Sequence, residues 1–194
     1  MNALRLHGIT MAYGRNMLFN EIKAEVQPGQ CLVVTGANGA GKSSLLKIIA
    51  GLLRPESGTV EFVGHRGWAS PDVHLYGELT GEENIAFFAR LLGTSLEGSA
   101  ALFAQVGLPR GRGRDLVSAY SSGMRQRLKL AVSLLGSPRL LIWDEPTATL
   151  DAAGKAAAGE ILSHHRANGG LAVVATNDPV EAQQWGDLRL MIGS

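Results

Sequence analysis

CLVVTGANGAGKSSLLKIIAG, residues 31–51, carries the strongest structural signal in the chain. It begins with a short apolar run rich in β-branched residues, which is typical of a strand buried on both faces of a sheet. Its second half has apolar residues at helical spacing, and Gly51 suits the C′ position that ends a helix. Between them lies GANGAGKSS, residues 36–44, whose glycines tolerate backbone angles that other residues avoid. The stretch is therefore predicted to form a buried strand, a glycine-rich loop and a helix.

The glycine-rich loop matches the pattern G-x-x-x-x-G-K-[ST], filled by Gly36, Gly41, Lys42 and Ser43. In this setting the backbone N–H groups and a helix N-terminus together bind an anion. Lys42 would place its charge near the β- and γ-phosphates, and the Ser43 hydroxyl would ligate Mg²⁺. A side chain at Gly39 or Gly41 is expected to block the approach of the phosphates. We therefore expect the polyphosphate of a nucleotide at this loop, and an ordinary glycine-rich turn is the alternative.

A second motif, LLIWDEP at residues 140–146, is the natural partner of the glycine-rich loop. A buried strand is expected to deliver Asp144 at its C-terminal end, where open α/β sheets bind their ligands. Asp144 would hold the Mg²⁺. Because side chains alternate along a strand, Glu145 is free for another task, and it is the candidate that orients and polarises a water for attack on the γ-phosphate. In the alternative interpretation both carboxylates only cap the following loop.

The composition favours a single globular domain without a large charge excess. Hydrophobic residues make up 45% of the 194 residues and charged residues 18%, so a full core is possible and disorder is disfavoured. Lys plus Arg number 18 against 17 Asp plus Glu, which argues against a general nucleic-acid-binding protein. The single cysteine, Cys31, excludes an internal disulfide and fits a reducing compartment. Neither a secretory signal nor a membrane-spanning run is recognised, so a role at a membrane would need a partner.

The glycine-rich motif, together with the pattern of strands and helices, predicts an α/β fold. We expect a P-loop NTPase with a mainly parallel sheet, an N-terminal antiparallel β subdomain and a helical insertion subdomain. ALRLHGITMAY and LFNEIKAEV have the alternation of antiparallel strands, and a further strand is expected within LRPESGTVEFVG. RLLIWDEP and LAVVATNDP read as buried strands separated by a helix, which indicates a parallel sheet with crossovers. Residues 71–135 contain three helical stretches and no convincing strand. We expect one domain, residues 1–194, with a nucleotide-binding core (1–70 and 136–194) and a helical subdomain (71–135).

Three of the predicted helices begin with a capping signal, and the capping residues are Thr80, Asp151 and Asp178. Thr80 is followed three residues later by Glu83, which completes a capping box. Asp178 is followed by Pro179 in the first turn, with Glu181 in support of the helix start. These caps set where the helices are expected to begin.

YSSGMRQRLKLA, residues 120–131, is predicted to start another helix and carries the pattern S-x-G-x-x-Q-R. With a P-loop before it, and a hydrophobic-D-E-P box and a TLD turn after it, the chain resembles the ATP-binding subunits of ABC transporters. The resemblance spans residues 13–178. ELTGEEN, Tyr120 and GMRQRL look most like small exporter-type subunits, including the haem-exporter subunit of cytochrome c maturation.

The resemblance implies that two such subunits close head to tail, with each ATP between the P-loop of one and the signature segment (Ser121–Gly123) of the other. ATP and Mg²⁺ are the implied cofactors, and Lys42, Glu145 and Asn177 are the implied catalytic residues. Nucleotide contacts are implied for Tyr13, Gly36, Asn38, Gly39, Ala40, Gly41, Lys42, Ser43, Ser44, Ser121, Ser122, Gly123 and Asp151. Metal contacts are implied for Ser43 and Asp144.

Three of these residues have simpler interpretations. Ser121 precedes a helix whose N–H groups can face an anion, but it is equally suited to be an ordinary helix cap. Tyr13 would stack on adenine by resemblance, and as a lone aromatic in a strand it would also suit the core. Asp151 would lie at the dimer interface, would cap its helix, or would do both.

The resemblance also implies a function, an ATP-binding and ATP-hydrolysing subunit that dimerises over Mg-ATP to drive a membrane partner in an exporter. The implied partners are integral membrane subunits and a second copy or related ATPase subunit, without nucleic acid, at the cytoplasmic face of the inner membrane. The groove for a membrane subunit would involve Val73, Leu75, Tyr76, Phe87 and Phe88, which alternatively form helix core. Two other functions stay open, a soluble ABC ATPase outside transport and a regulatory nucleotide-binding module with weak hydrolysis.

Two positions depart from the family pattern. Asn177, in VVATNDP, stands where the family usually has a histidine that contacts the γ-phosphate and the attacking water. Asparagine donates a hydrogen bond but carries no proton charge, and His164 and His165 lie on the preceding helix. Ser70 and Pro71 stand where the family usually has a glutamine near the metal. We therefore expect the chain to bind Mg-ATP well and to hydrolyse it slowly unless a partner compensates.

Overall fold

The computed structural model describes residues 3–14, 16–96 and 98–193, and they form two sheets with six α-helices around them. The strands are β1 (Leu4–Tyr13), β2 (Asn16–Val26), β3 (Cys31–Thr35), β4 (Ser57–Glu61), β5 (Arg66–Ala69), β6 (Leu140–Asp144), β7 (Leu171–Ala175) and β8 (Leu188–Met191). The helices are α1 (Lys42–Ala50), α2 (Gly81–Leu91), α3 (Ser99–Gln105), α4 (Ser122–Ser133), α5 (Ala152–Ala167) and α6 (Pro179–Trp185). Two short 3₁₀ turns, Arg112–Arg114 and Val117–Ala119, precede α4.

A five-stranded parallel sheet, in the order β5-β6-β7-β3-β8, forms the centre of the fold. Alternate residues of its inner strands pack into two different apolar clusters. Leu32 and Val34 pack with α1 and with the N-terminal strands, whereas Cys31 and Val33 pack with helices α4, α5 and α6. The prediction that β3 is buried on both faces is confirmed, and the sheet is covered by one layer on each side.

The N-terminal strands form a separate antiparallel sheet in the order β2-β1-β4, as predicted. Its apolar side chains join those of α1 in one cluster, so this sheet lies over the helix that follows the glycine-rich loop. The register of β1 against β2 shifts at several points, which marks bulges in the hairpin. Tyr13, the last residue of β1, lies near the loop.

The predicted helix caps are confirmed. Thr80 accepts a hydrogen bond from the Glu83 N–H and the Glu83 side chain accepts one from the Thr80 N–H, so the capping box is complete. Asp151 caps α5 by accepting from the Gly154 N–H, and Asp178 caps α6. Helix α3 is shorter than the predicted stretch of residues 95–108, and Glu97 within that stretch lies outside the described residues.

Two strands of the central sheet, β5 and β8, were not predicted from the sequence. Each has only four residues and lies at an edge of the sheet, and β8 alternates between half-buried and exposed residues. Their extended conformation comes from pairing with β6 and β3, which is a tertiary contact rather than a local preference.

The helices α2, α3 and α4 lie between β5 and β6 in the chain, and the division of residues 71–135 from the core stays a prediction. In the part of the chain that the structure describes, every helix is too short or too polar to cross a bilayer.

Gly67 in β5 fixes how closely helix α4 approaches the sheet. A Cβ atom at this position would lie 2.0 Å from the backbone oxygen of Ser133, at the end of α4, and 2.9 Å from Pro138 Cγ. Because both neighbours belong to the backbone or to a rigid ring, neither can move aside cheaply. The glycine therefore serves packing between α4 and the sheet.

We expect Gly67→Ala to lower the free energy of unfolding by about 1–3 kcal/mol, since it overpacks this contact. Gly77→Ala is the matched control, because a Cβ atom there would meet its nearest neighbour, in Ser118, at an ordinary 3.6 Å. Urea unfolding of both variants measures the difference. Equal stability of the two variants would contradict the proposed close approach of α4.

Candidate nucleotide-binding site

The glycines of the P-loop (residues 36–44) are required by its backbone and by its neighbours. Gly36, Gly39 and Gly41 all have positive φ, at 151°, 82° and 100°. A Cβ atom on Gly36 would lie 2.3 Å from the Ile192 backbone oxygen, and one on Gly41 would lie 3.1 Å from Leu18. The expectation that side chains at Gly39 and Gly41 would block the phosphates stays a prediction, and packing against β2 is a further reason for glycine at Gly41. At Gly39 a Cβ atom would meet no protein atom within 4 Å.

Lys42 holds its charge inside the P-loop. Its side chain is only 7% exposed, and its ammonium group donates to the backbone oxygens of Gly36 (2.8 Å) and Ala37 (3.2 Å). Lys42 is also the first residue of α1, whose free N–H groups point the same way. The loop therefore presents one full positive charge and a helix N-terminus at the same place.

Asp144 ends strand β6 beside the P-loop and is 3% exposed. Burial raises its pKa above the ordinary value, while a hydrogen bond with the Ser43 side chain and the charge of Lys42 oppose that rise. Among the described residues, its Oδ1 is one of two buried side-chain atoms without a hydrogen-bond partner, the other being Arg66 Nε. Leaving a buried carboxylate oxygen unpaired costs about 1–3 kcal/mol or more.

Mg²⁺ fits this arrangement, because it prefers carboxylate and hydroxyl oxygens together with phosphate. Asp144 supplies the unpaired oxygen and Ser43 supplies the hydroxyl, in the positions predicted from the sequence. We therefore regard Ser43 and Asp144 as the residues that would hold the ion.

Glu145 directly follows β6 and turns the chain away from the sheet. It has φ = 48°, the left-handed region that non-glycine residues rarely adopt, which costs about 1–2 kcal/mol. Its own N–H donates to the Ala175 oxygen at 2.9 Å, and its side chain accepts from the Asn177 N–H. Burial raises the pKa of Glu145, whereas Lys42 and the Asn177 N–H lower it. The strained turn therefore holds this carboxylate near Lys42 and near the end of β7.

A cavity of about 460 Å³ opens above the P-loop, which we call the P-loop cavity. Its lining consists of Tyr13, Asn16, Leu18, Asn38, Gly39, Gly41, Lys42, Ser43, Ser44, Asp144 and Glu145. Tyr13 is 56% exposed, so the interpretation of this residue as core is wrong. Gly36 and Ala40 lie outside this lining, and Ala40 packs partly against the apolar cluster under the loop. The sequence-predicted P-loop, strand-end and aromatic residues thus meet around one space.

Asn177, the residue in the place of the family's histidine, lies at the rim of this region. Its amide donates to Asn38 Oδ1 at 2.9 Å, so it bridges the end of β7 to the P-loop. His164 and His165 border a different cavity, of about 620 Å³, near the C-terminal end of α5. As expected from the sequence, neither histidine stands in for the missing one.

The signature segment lies apart from the P-loop cavity. Ser121 caps α4 by accepting from the Met124 N–H at 3.2 Å, which confirms its interpretation as a helix cap. Ser121, Ser122 and Gly123 border a second cavity of about 610 Å³, the signature cavity, together with Asp151. The two cavities share no lining residue. Within one subunit the structure does not bring the signature segment to the P-loop.

Two residues of the signature helix, Gln126 and Arg127, were quoted in the motif but given no role from the sequence. Gln126 donates to the Pro146 oxygen at 2.8 Å, just after Glu145. Arg127 donates to the Gly107 oxygen at 2.7 Å and pairs with Asp151. Both are 9% exposed, and the signal that could have revealed them is two long polar side chains on the apolar face of a helix.

The segment at residues 70–72 stands where the family's glutamine was expected. Ser70 is fully buried, and its hydroxyl accepts from the Asp72 N–H at 3.1 Å. Lys129 of α4 donates to the Pro71 oxygen at 2.6 Å, and Lys47 of α1 pairs with the Asp72 carboxylate. The charge of Asp72 adds to burial in raising the pKa of Asp144. The segment therefore joins α1 to α4 and places an acid, not an amide, near Asp144.

The glycine loop lies between a buried strand and a helix, holds a buried lysine, and faces an acid at the end of β6. These features define a P-loop nucleotide-binding protein of the α/β class. Within that class, residues 19–148 match the family model described as ABC transporter. The chain belongs to the ABC transporter family, and it is an ATP-binding subunit with the family's ATPase activity.

The relatives agree with this placement. The chain is 35% identical to the cytochrome c biogenesis ATP-binding export protein CcmA of Rhodopseudomonas palustris, over 89% of this chain and 90% of that protein. It is 32% identical to the lantibiotic transport ATP-binding protein SrtF of Streptococcus pyogenes, over 95% of this chain and 84% of that protein. The resemblance to exporter-type subunits read from the motifs is confirmed.

Solved structures share the fold. One, an ATP-binding subunit of an ABC transporter, superposes with a TM-score of 0.88 and 26% identity, covering 98% of this chain and 86% of the other. Another, a dimeric bacterial ABC transporter cassette, has a TM-score of 0.85 and 20% identity, covering 97% and 94%. The predicted fold class is confirmed.

Asp144→Asn tests the metal assignment, because it keeps the shape of the side chain and removes the charge that would hold Mg²⁺. We expect ATP affinity with Mg²⁺ to fall about tenfold, the equivalent of about 1.4 kcal/mol. Affinity in EDTA should stay close to that of the wild type or rise, since a buried negative charge near the phosphates is removed. Calorimetric titration under both conditions measures this, and an equal loss with and without Mg²⁺ would contradict the assignment.

Proposed function

We propose that this subunit binds Mg-ATP between its own P-loop and the signature segment of a second subunit, either another copy or a related one. The observation that carries the proposal is the separation of the two cavities. Each has features that suit phosphate, but they share no residue in one chain. A second subunit placed head to tail would bring one P-loop cavity against one signature cavity.

The P-loop half supplies most of the charge. Lys42, the α1 N-terminus and the backbone N–H groups of the loop would bind the β- and γ-phosphates, and Tyr13 would stack on the adenine. Ser43 and Asp144 would hold Mg²⁺, which supplies charge neutralisation on the phosphate oxygens. Each of these side chains borders the same cavity.

The signature half supplies further donors. Helix α4 is 12 residues long, and its first-turn N–H groups have no acceptor within the helix. Ser121 and Ser122 add hydroxyls, and Asp151 lies on the border of the same cavity. These donors suit a γ-phosphate presented by the partner subunit. Asp151 then serves both as cap of α5 and as an interface residue.

Glu145 is the group that would act on the attacking water. It lies beside Lys42 and at the end of the strand that carries Asp144, so a water next to the γ-phosphate is within its reach. The carboxylate accepts a proton from that water, or orients the water through a hydrogen bond, while Lys42 stabilises the negative charge of the transferring group. Lys42, Glu145 and Asn177 are thus the proposed catalytic residues.

The membrane partner would bind next to helix α2. Tyr76 and Phe87 are exposed and in edge-to-face contact at 4.7 Å, with Leu91 exposed on the same helix. Leu75, by contrast, is buried in the core, so its interpretation as part of the groove is wrong. An apolar surface of this kind suits a cytoplasmic helix of an integral membrane subunit.

We propose an exporter, with this subunit at the cytoplasmic face of the membrane, because the relatives are named for export and lantibiotic transport.

Glu145→Gln tests the shared site. The variant should still bind ATP but hydrolyse it poorly, so the closed dimer should accumulate and elute as a dimer on a sizing column with ATP. Samples with ADP, and the double variant that adds Lys42→Ala, are the controls and should elute as monomers. A Glu145→Gln protein that binds ATP and remains monomeric would contradict the head-to-tail arrangement.

A second candidate function, a nucleotide-binding subunit with weak hydrolysis, is favoured by one observation. The Asn177 amide bonds to Asn38 and offers no ionisable group to the phosphate or the attacking water. Ser70, in the place of the family's glutamine, is buried, and its hydroxyl accepts a hydrogen bond from the Asp72 N–H. Asn177 contacts a residue of the P-loop cavity, Asn38, while the P-loop itself is intact, so these departures would slow turnover more than binding.

We expect Asn177→His to raise kcat at saturating ATP about 10-fold or more, since general acid–base contributions of a histidine are of this order or larger. Affinity for ATP should change little. Steady-state hydrolysis by the purified subunit, with and without its membrane partner, measures this. A wild type that already turns over as fast as the histidine variant would contradict slow hydrolysis.

A further inference from the structure

One buried carboxylate, that of Glu181, has no role in the site described so far. It lies on α6, is 5% exposed, and was expected only to support the start of that helix. Instead its side chain points into the protein. Oε2 accepts a hydrogen bond from the Thr176 hydroxyl at 2.7 Å, and Oε1 accepts one from the Thr147 hydroxyl.

The two threonines belong to the two loops that carry the proposed hydrolytic groups. Thr147 follows Glu145 by two residues, in the turn between β6 and α5, and is 4% exposed. Thr176 directly precedes Asn177, at the end of β7, and is 1% exposed. A single carboxylate therefore ties together the ends of two adjacent strands.

A third contact reaches the same carboxylate from α5. Lys155 Nζ lies 3.6 Å from Glu181 Oε1 and 3.1 Å from Asp178 Oδ2. Lys155 is in the first turn of α5, where its N–H donates to the Asp151 oxygen. Since Asp151 borders the signature cavity, the helix that faces the proposed second subunit is joined to the carboxylate as well.

Burying a carboxylate costs several kcal/mol unless hydrogen bonds and a counter-charge compensate. Here two hydroxyls and one ammonium group provide that compensation, so the network holds one geometry. Catalysis depends on that geometry, because a displacement of about 1 Å can cost about 100-fold in rate. The strained turn at Glu145, with φ = 48°, needs such support from outside the turn.

We propose that Glu181 is a positioning residue for ATP hydrolysis, which holds the Glu145 turn and the Asn177 segment at a fixed separation through Thr147 and Thr176. The inference rests on the proposed function in one respect, that Glu145 acts on the attacking water. It concerns the hydrolytic step and leaves ATP binding to the P-loop unaffected.

Thr147→Val tests the network, because valine keeps the shape of threonine and removes the hydroxyl. We expect kcat to fall about 10- to 100-fold, while KM for ATP and ATP affinity stay within about twofold. Thr147→Ser restores the hydroxyl and should recover most of the rate. Gln183→Ala, at an exposed position on the same helix, is the control and should match the wild type. Thr176→Val and Thr176→Ser repeat the comparison from the other loop if Thr147→Val does not fold.

Thr147→Val in a Glu145→Gln protein distinguishes an effect that acts through Glu145 from a general loss of structure. If the network acts through Glu145, adding Thr147→Val should cause no further loss of the residual rate, because the step it supports is already removed. Equal losses in both backgrounds, or a normal kcat in both valine variants, would overturn the inference. A wild-type protein that binds ATP but does not hydrolyse it would overturn both the proposed function and this inference. If the wild type hydrolyses ATP and the valine variants have the same kcat, only the inference is overturned.

Discussion

The structure depends on holding one ammonium group, that of Lys42, inside a loop whose backbone has positive φ at three glycines, Gly36, Gly39 and Gly41. The group is almost fully buried and is paired with the backbone oxygens of Gly36 and Ala37. Its position requires β3 beneath the loop, α1 after it, and the close contact of Gly36 with the chain near Ile192. The acids that face it, Asp144 and Glu145, come from β6, and the parallel sheet is what brings these separate strand ends to one edge.

Polar contacts connect this edge to the parts of the subunit that would meet partners. Gln126 joins the signature helix to the turn after Glu145, and Arg127 joins it to the start of α5. Lys47 and Lys129 hold residues 70–72 between α1 and α4. Helix α2 packs against α4, and Phe87 of α2 contacts Tyr76 in the segment before it, so the exposed aromatic pair and the phosphate edge are joined by contacts within one chain.

The sequence predicted what depends on local pattern. The P-loop, the strand that ends in Asp144 and the caps Thr80, Asp151 and Asp178 are short-range signals, and the structure contains each of them. It did not predict β5 and β8, whose four residues become strands only by pairing with distant neighbours. It also missed Gln126, Arg127 and Glu181, because the partners of these buried polar side chains lie 20 or more residues away or on another loop. Tyr13 was ambiguous because its strand pattern alone does not show whether the side chain faces the core or the cavity, and the structure places it at the cavity.

The most direct test of this account is the affinity of Lys42→Ala for Mg-ATP, measured by calorimetric titration beside Lys23→Ala. Lys23 lies exposed on β2, away from the P-loop cavity, so its loss should leave affinity unchanged. Loss of the Lys42 ammonium should weaken binding about 10- to 100-fold, as expected for a charge-assisted contact to phosphate. An affinity for Mg-ATP equal to that of the wild type in a correctly folded Lys42→Ala protein would contradict the account.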